Sequence, residues 1–158
     1  MGYRLHHSAP RRTSVPLNAY IDSSVLLRLI LSEPQPLEIW SKITTAVSSE
    51  LIRVECLRTI DRARIRVGLS DQQVSAARAA VLETISGITL VGISPAVLER
   101  ATQPFPTTLG TLDAMHLSSA LLARNGFDGL VLATHDQELS VAARSMGFEV
   151  FGAPGTSD

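Results

Sequence analysis

Apolar and polar residues fall along the chain in blocks of two lengths. Short apolar or β-branched runs recur as LNAYI (17–21), TTAVSS (44–49), ITLVGI (88–93), GLVLAT (129–134) and FEVF (148–151). Runs of that length, bounded by turn residues, predict strands. Longer segments with helical character separate them. SSVLLRLIL (23–31) is apolar on nearly every side, which predicts a buried helix, broken by Pro34 and Pro36. LEIWSKI (37–43) reads as a second short helix. Ser49 to about Val67 predicts a long Arg-rich helix stopped by Gly68.

Helix starts are marked in three further places. Ser70 to Gln73 is a capping-box pattern, opening an Ala-rich helix to about Ile85. Ser94-Pro95 combines an N-cap with a first-turn proline. After a loop at 103–110, Thr111 is expected to cap a helix to about Arg124. His135-Asp136 then turns into QELSVAARSM, closed by Gly147. Strands alternating with helices imply parallel crossover units. The expected fold is therefore α/β, a central parallel sheet of about five strands with helices on both faces. Sites in such sheets form beyond the carboxyl ends of the strands.

Composition narrows the class. The 158 residues suit one domain, expected over 17–154, after a loose, disordered leader (1–16) and before a short tail (155–158). With 45% apolar and only 18% charged residues, the chain cannot be largely disordered. A net charge of −1 argues against a polybasic nucleic-acid binder. It leaves room for a nucleic-acid enzyme whose metal-binding acids mask basic residues. Cys56 is the only cysteine, which excludes an internal disulfide and a Cys-based zinc site. No apolar run reaches the ~18 residues of a membrane span, and the N-terminus lacks a signal-peptide core. A cytoplasmic protein is expected.

Four acids stand where acids are costly or conspicuous. Asp22 and Asp136 each end a predicted strand and begin a predicted helix, beside the hydroxyls of Ser23, Ser24 and Thr134. Each alone is explained by helix capping. Glu55 falls between Leu51 and Ile52 in helical angle, on an apolar face. A salt bridge to Arg58 or Arg62 is the plainer reading there. Asp113 shares a helical face with Leu117 and Ala120, and a first-turn Asp is also favoured by the helix dipole. Together the four invite one explanation. Clustered carboxylates repel unless a cation compensates, and hard oxygen donors without thiolates select Mg²⁺ or Mn²⁺. Such ions activate water and neutralise a phosphoryl transition state, which points to phosphodiester hydrolysis.

The motifs carrying these acids resemble the PIN-domain ribonucleases, most closely the VapC-type toxins of toxin–antitoxin pairs. YIDSSVLLRLILSEP matches the opening strand and Asp-(Thr/Ser)-Ser motif. SSELIRVECLRTIDRA places Glu55 at the second acid. TLDAMHLSSALL, with Asp113, matches the most specific motif, and VLATHDQELSVAARSMGFEV supplies Asp136. The resemblance spans about Ala19 to Pro154. It implies a five-strand parallel sheet and an acidic quartet (Asp22, Glu55, Asp113 and Asp136) that is both catalytic and metal-binding. Ser23 and Thr134 would support it. It also implies Mg²⁺ dependence, an RNA substrate, a cognate antitoxin and a homodimer. Gly110 departs from the pattern, since many relatives carry Arg there.

Other residues have plainer readings. His116 is expected to be a buried, hydrogen-bonded histidine packing its helix. Arg53, Arg58, Arg62, Arg64 and Arg66 form either a solvated face paired with acids such as Asp61 or a phosphate-contacting surface. Trp40 and Phe105 suit a core or dimer role, with base stacking or antitoxin contact as the functional reading. A catalytically silent PIN-like binding module, its acids serving as caps, is the main competing function. An aspartyl-phosphate enzyme ranks last, because Lys42 is the only lysine and lies away from the strand ends.

Overall fold

The computed structural model describes residues 15–153. Most of the expected leader (1–14) and the tail therefore lie outside the described residues. Five strands, β1 (Leu17–Ile21), β2 (Ile43–Ser49), β3 (Thr89–Val91), β4 (Val131–Ala133) and β5 (Val150–Phe151), form one sheet in the order β3-β2-β1-β4-β5. Every pairing is parallel. Among the described residues six α-helices accompany the sheet: α1 (Ser23–Ile30), α2 (Leu51–Val67), α3 (Asp71–Ser86), α4 (Pro95–Thr102), α5 (Thr111–Ala123) and α6 (Gln137–Ser145).

Strand alternation divides the interior into two cores. Ala19 and Ile21 of β1 point into the first, with Val131 and Ala133 of β4. There they meet Val25 and Leu26 of α1, Ile52, Cys56 and Ile60 of α2, and Val74, Val81 and Ile85 of α3. Tyr20 and Leu132 point the other way, against Leu117 and Ala120 of α5 and Leu139, Ala142 and Ala143 of α6. Successive side chains of a strand face opposite sides, so a central strand buried on both must be apolar throughout. That explains the buried run Ala19–Ile21, ahead of which Asn18 is only partly buried. The α/β sheet expected from the sequence is the one observed.

Most helix ends carry the caps that their local sequence predicts. Ser70 and Gln73 close both arms of the capping box, at 3.2 and 2.9 Å. Ser94 accepts from the Val97 amide ahead of Pro95. Gly68 ends α2 at φ 68°, a left-handed conformation that suits glycine.

Four readings need correction. LEIWSKI is no helix: one 3₁₀ turn (Trp40–Lys42) leads into Ile43, the first residue of β2. β-branched Ile43 and Thr45 pair with Leu17 and Asn18 of β1, the Thr44 hydroxyl donates to the Leu17 carbonyl, and that ladder wins over a helix too short to stabilise itself. Ser49 belongs to β2, so α2 starts at Leu51. Thr111 does not cap α5; it is the first helical residue, and Gly110 occupies the cap position without a side-chain hydrogen bond. Asp61 pairs neither with Arg58 nor Arg62. It bonds Arg78 of α3 at 3.1 Å, while Arg62 donates to Thr59. Tertiary proximity there outcompetes helix neighbours.

Candidate active site

The carboxyl ends of β1 and β4 form one hydrogen-bonded corner. Asp22 follows β1 and is 4% exposed. Its backbone amide still bonds Ala133 of β4 at 3.0 Å, which fixes the residue to the sheet. Three donors converge on Oδ2: the Thr134 hydroxyl at 2.9 Å, the Ser24 hydroxyl at 2.5 Å and the Ser24 amide at 3.3 Å. Oδ2 is thus occupied by capping α1 and by the neighbouring hydroxyls, while no hydrogen bond among the described residues falls on Oδ1. Fully buried Thr134 also accepts from the Asp136 amide at 2.9 Å. Asp136 caps α6 through Oδ1, which accepts from Leu139 at 2.8 Å. Both capping readings hold, yet each cap engages a single carboxylate oxygen. Capping and ligation are therefore compatible.

Thr134, expected to support the site, bonds both Asp22 and the Asp136 amide. Among the described residues it is Ser24, not Ser23, whose hydroxyl reaches Asp22; the same oxygen accepts from the His135 amide at 2.9 Å. Helix geometry explains the choice, since an N-cap carboxylate reaches the residue two positions on.

The other two acids come from helices. Glu55 of α2 does not pair with Arg58 or Arg62. Its Oε2 bonds Nε2 of His116 on α5. The Glu55 side chain is 18% exposed and His116 is fully buried, which bears out the buried-histidine reading and adds a partner that helix spacing did not reveal. Only tertiary folding joins residues 61 positions apart. Burial opposes a charge on His116, but the hydrogen bond and charge of Glu55, backed by Asp22 and Asp113, outweigh it and push the imidazole up.

Asp113 in the first turn of α5 registers the others. Burial is the largest influence on its carboxyl, followed by the charges of Asp136 and Asp22, with Glu55 adding and His116 opposing; together they push it up to about 6. Four acids from four segments therefore share one electrostatic field. Among the described residues, no three His, Cys, Asp or Glu converge as placed into a group that could hold a metal ion. The donor chemistry nonetheless fits Mg²⁺ or Mn²⁺: hard carboxylate oxygens, and a mutual repulsion that a divalent cation would relieve. Cys56 contributes no soft ligand, because burial, then Glu55 and Asp22, push its thiol up to about 12.

The remaining candidates separate. A hollow of about 200 Å³ beside Glu55 is lined by Ser23, Leu112, Arg58 and Arg62. Arg64 instead pairs with Asp71. Trp40 packs against the first core, and Phe105 packs against the second beneath the Arg100 guanidinium.

Comparison with known proteins defines the class. The sequence matches the PIN domain family over residues 19–145, and the chain belongs to that family. Within it, the chain is similar to ribonuclease VapC47 of Mycobacterium tuberculosis (strain CDC 1551 / Oshkosh), with 31% identity over 143 residues, 86% of this chain and 96% of the relative. It is also 33% identical over 134 residues to ribonuclease VapC46 of Mycobacterium tuberculosis (strain ATCC 25618 / H37Rv), covering 83% and 94%. The fold is similar to that of VapBC2 from Rickettsia felis, solved bound to a promoter DNA fragment (TM-score 0.59, 14% identity, covering 85% of this chain and 99% of that one). It is also similar to a toxin–antitoxin complex from Klebsiella pneumoniae (TM-score 0.55, 20% identity, covering 78% and 91%). PAE2754 from Pyrobaculum aerophilum shares the architecture as well (TM-score 0.54, 22% identity, covering 87% and 82%).

Proposed function

We propose that this protein is a metal-dependent endoribonuclease acting as the toxin of a toxin–antitoxin pair. The observation that carries the reading is the setting of Asp113, whose half-buried carboxyl is raised by burial and then by the charges of Asp136, Asp22 and Glu55. Its relatives' names, ribonuclease VapC, supply the substrate class. Asp22, Glu55, Asp113 and Asp136 would hold Mg²⁺ or Mn²⁺. The bound ion would supply an activated water and neutralise charge in the phosphoryl transition state.

The chain's own groups do the rest. Thr134 and Ser24 hold Asp22 through Oδ2 and so leave its other oxygen free of those hydrogen bonds. Thr134 also restrains Asp136. Cys56, neutral and buried, is no nucleophile. Arg58 and Arg62, beside Glu55, are suited to the RNA backbone, since phosphate contacts position a substrate without reading its sequence. The partner would be a short antitoxin, the working form a homodimer and the compartment the cytoplasm. Among the described residues no helix is long and apolar enough to cross a membrane.

The direct test is end-mapping of cellular RNA after induction of the wild type and of Asp22→Asn. New, discrete 5′ ends should appear with the wild type and vanish with the variant. Equal cutting by both would remove the quartet from the chemistry. The competing silent module draws on the two observed caps and on the absence of a ready ligand group. Thermal stability in Mg²⁺ or Mn²⁺ separates the readings, because an ion that binds the native state raises its melting temperature. A wild type unmoved by millimolar metal, and quartet variants as stable as it, would favour the silent module.

A further inference from the structure

Three buried groups that the proposed chemistry does not use lie in one hydrogen-bonded line. The Ser49 amide, at the end of β2, donates to the Tyr20 hydroxyl at 3.1 Å. That hydroxyl meets Nδ1 of His116 at 2.9 Å. On the far side of the ring, Nε2 meets Oε2 of Glu55. Tyr20 and His116 are both fully buried, and their rings pack edge to face with centroids 6.0 Å apart. A carboxylate can only accept, so the Nε2 proton belongs to the imidazole and points at Glu55. The Tyr20 contact on Nδ1 and the ring packing together prevent the imidazole from flipping.

The placement of these groups matters more than the bonds singly. Tyr20 lies two residues before Asp22 on β1. His116 lies three residues after Asp113 on α5. Ser49 ends the strand that leads into α2, which carries Glu55. The line also crosses the sheet end, joining α2, packed in the first core, to α5, packed in the second. Three of the four acid-bearing segments are thus tied together by one buried chain of contacts. Such a tie opposes the repulsion that drives clustered carboxylates apart.

We propose that Tyr20 and His116 are positioning residues: a buried brace that presents the Glu55 carboxylate to the metal and sets the spacing of the Asp22, Glu55 and Asp113 segments. The inference rests on the nuclease reading but has a readout of its own. Partners that orient ligating carboxylates change metal affinity or activity by about 10–100-fold when removed.

The test compares His116→Phe, His116→Gln and Tyr20→Phe with the wild type. Mn²⁺ binding is read by electron paramagnetic resonance of the free ion, and RNA cleavage is resolved into kcat and KM. His116→Phe keeps a ring but has no N–H. It should weaken Mn²⁺ binding and lower kcat, each by about 10–100-fold, with KM little changed. His116→Gln restores an N–H donor toward Glu55 and should recover part of both. Tyr20→Phe should fall between wild type and His116→Phe, and should add nothing in a His116→Phe background.

A purely packing role predicts the reverse for His116, with phenylalanine tolerated and glutamine harmful. Tighter Mn²⁺ binding in His116→Phe would show that His116 withholds Glu55 from the ion, which overturns the proposal. If the wild type cuts no RNA but the Mn²⁺ affinities follow the predicted order, the nuclease reading fails and the brace stands. Unchanged Mn²⁺ affinities across the series would overturn the brace whatever the cleavage result.

Discussion

The two halves of the candidate site are held by different means. At the strand ends, Asp22 and Asp136 each cap the helix that follows, a local contact, and Thr134 ties the two across β1 and β4. On the helices, Glu55 depends on a partner 61 residues away, and the Asp113 carboxyl is raised by burial first and by the neighbouring carboxylates second. The strand-end half thus combines two local caps with a tie across adjacent strands, whereas Glu55 has no cap to set it and rests on tertiary packing alone. A site built this way has one rigid wall and one wall whose position is sensitive to distant substitutions.

The sharpest way to probe the rigid wall is to separate capping from ligation. Asparagine caps a helix about as well as aspartate but carries no charge. Asp22→Asn should therefore keep its melting temperature within a few degrees while RNA cleavage falls by about 10³-fold, measured on a labelled RNA. A variant that unfolds instead would make Asp22 structural first.

Thr134→Val tests the tie within that wall. It leaves Asp22 short of one donor and the Asp136 amide without its acceptor, in a fully buried place. Denaturant unfolding should show a loss of about 1–3 kcal/mol, and cleavage should fall by about 10–100-fold. Thr134→Ser, which keeps the hydroxyl, should restore most of both.

The helical wall is probed by pH. The Asp113 carboxyl lies near 6 in the fold against 3.8 for the free group. The fold therefore favours its protonated form. This group's contribution is most favourable below about pH 4 and is lost as pH rises through about 6. Asp113→Asn should stabilise the metal-free protein at pH 7 by about 1 kcal/mol after allowance for solvent screening, and not at pH 4. The same protonation competes with a cation, so Mn²⁺ affinity in the wild type should weaken by about tenfold per unit below pH 6. Flat affinity between pH 5 and 7 would show that Asp113 is not a ligand.

Smallest of all should be Arg78→Ala, which breaks the exposed Asp61–Arg78 bridge. Unfolding should register less than about 1 kcal/mol, and cleavage no change.

How legible each half was follows from the same difference. Asp22 and Asp136 were recognisable because capping is a local event: an acid between an apolar run and a helix is written in consecutive residues. Glu55 was recognisable as an acid on an apolar face, but its expected arginine partners were wrong. Helix spacing ranks near neighbours and is blind to α5. LEIWSKI failed for a related reason, since its helical pattern yields to a neighbouring strand that the segment itself does not encode. Ser24 and Ser23 were indistinguishable as hydroxyls until the turn after β1 aimed one of them at Asp22.

By itself, the sequence determined the alternation of strands and helices, the parallel α/β class and the four acids at strand ends and helix faces. Those features depend on periodicity, caps and residue chemistry, all of short range. Tertiary structure alone decided that Asp113 shares a field with three other carboxylates, that Thr134 bridges two of the segments, and that Tyr20 and His116 reach Glu55 through the interior. Burial and charge proximity belong to residues brought together from 20 to 136, and no local pattern encodes a distance across the sheet.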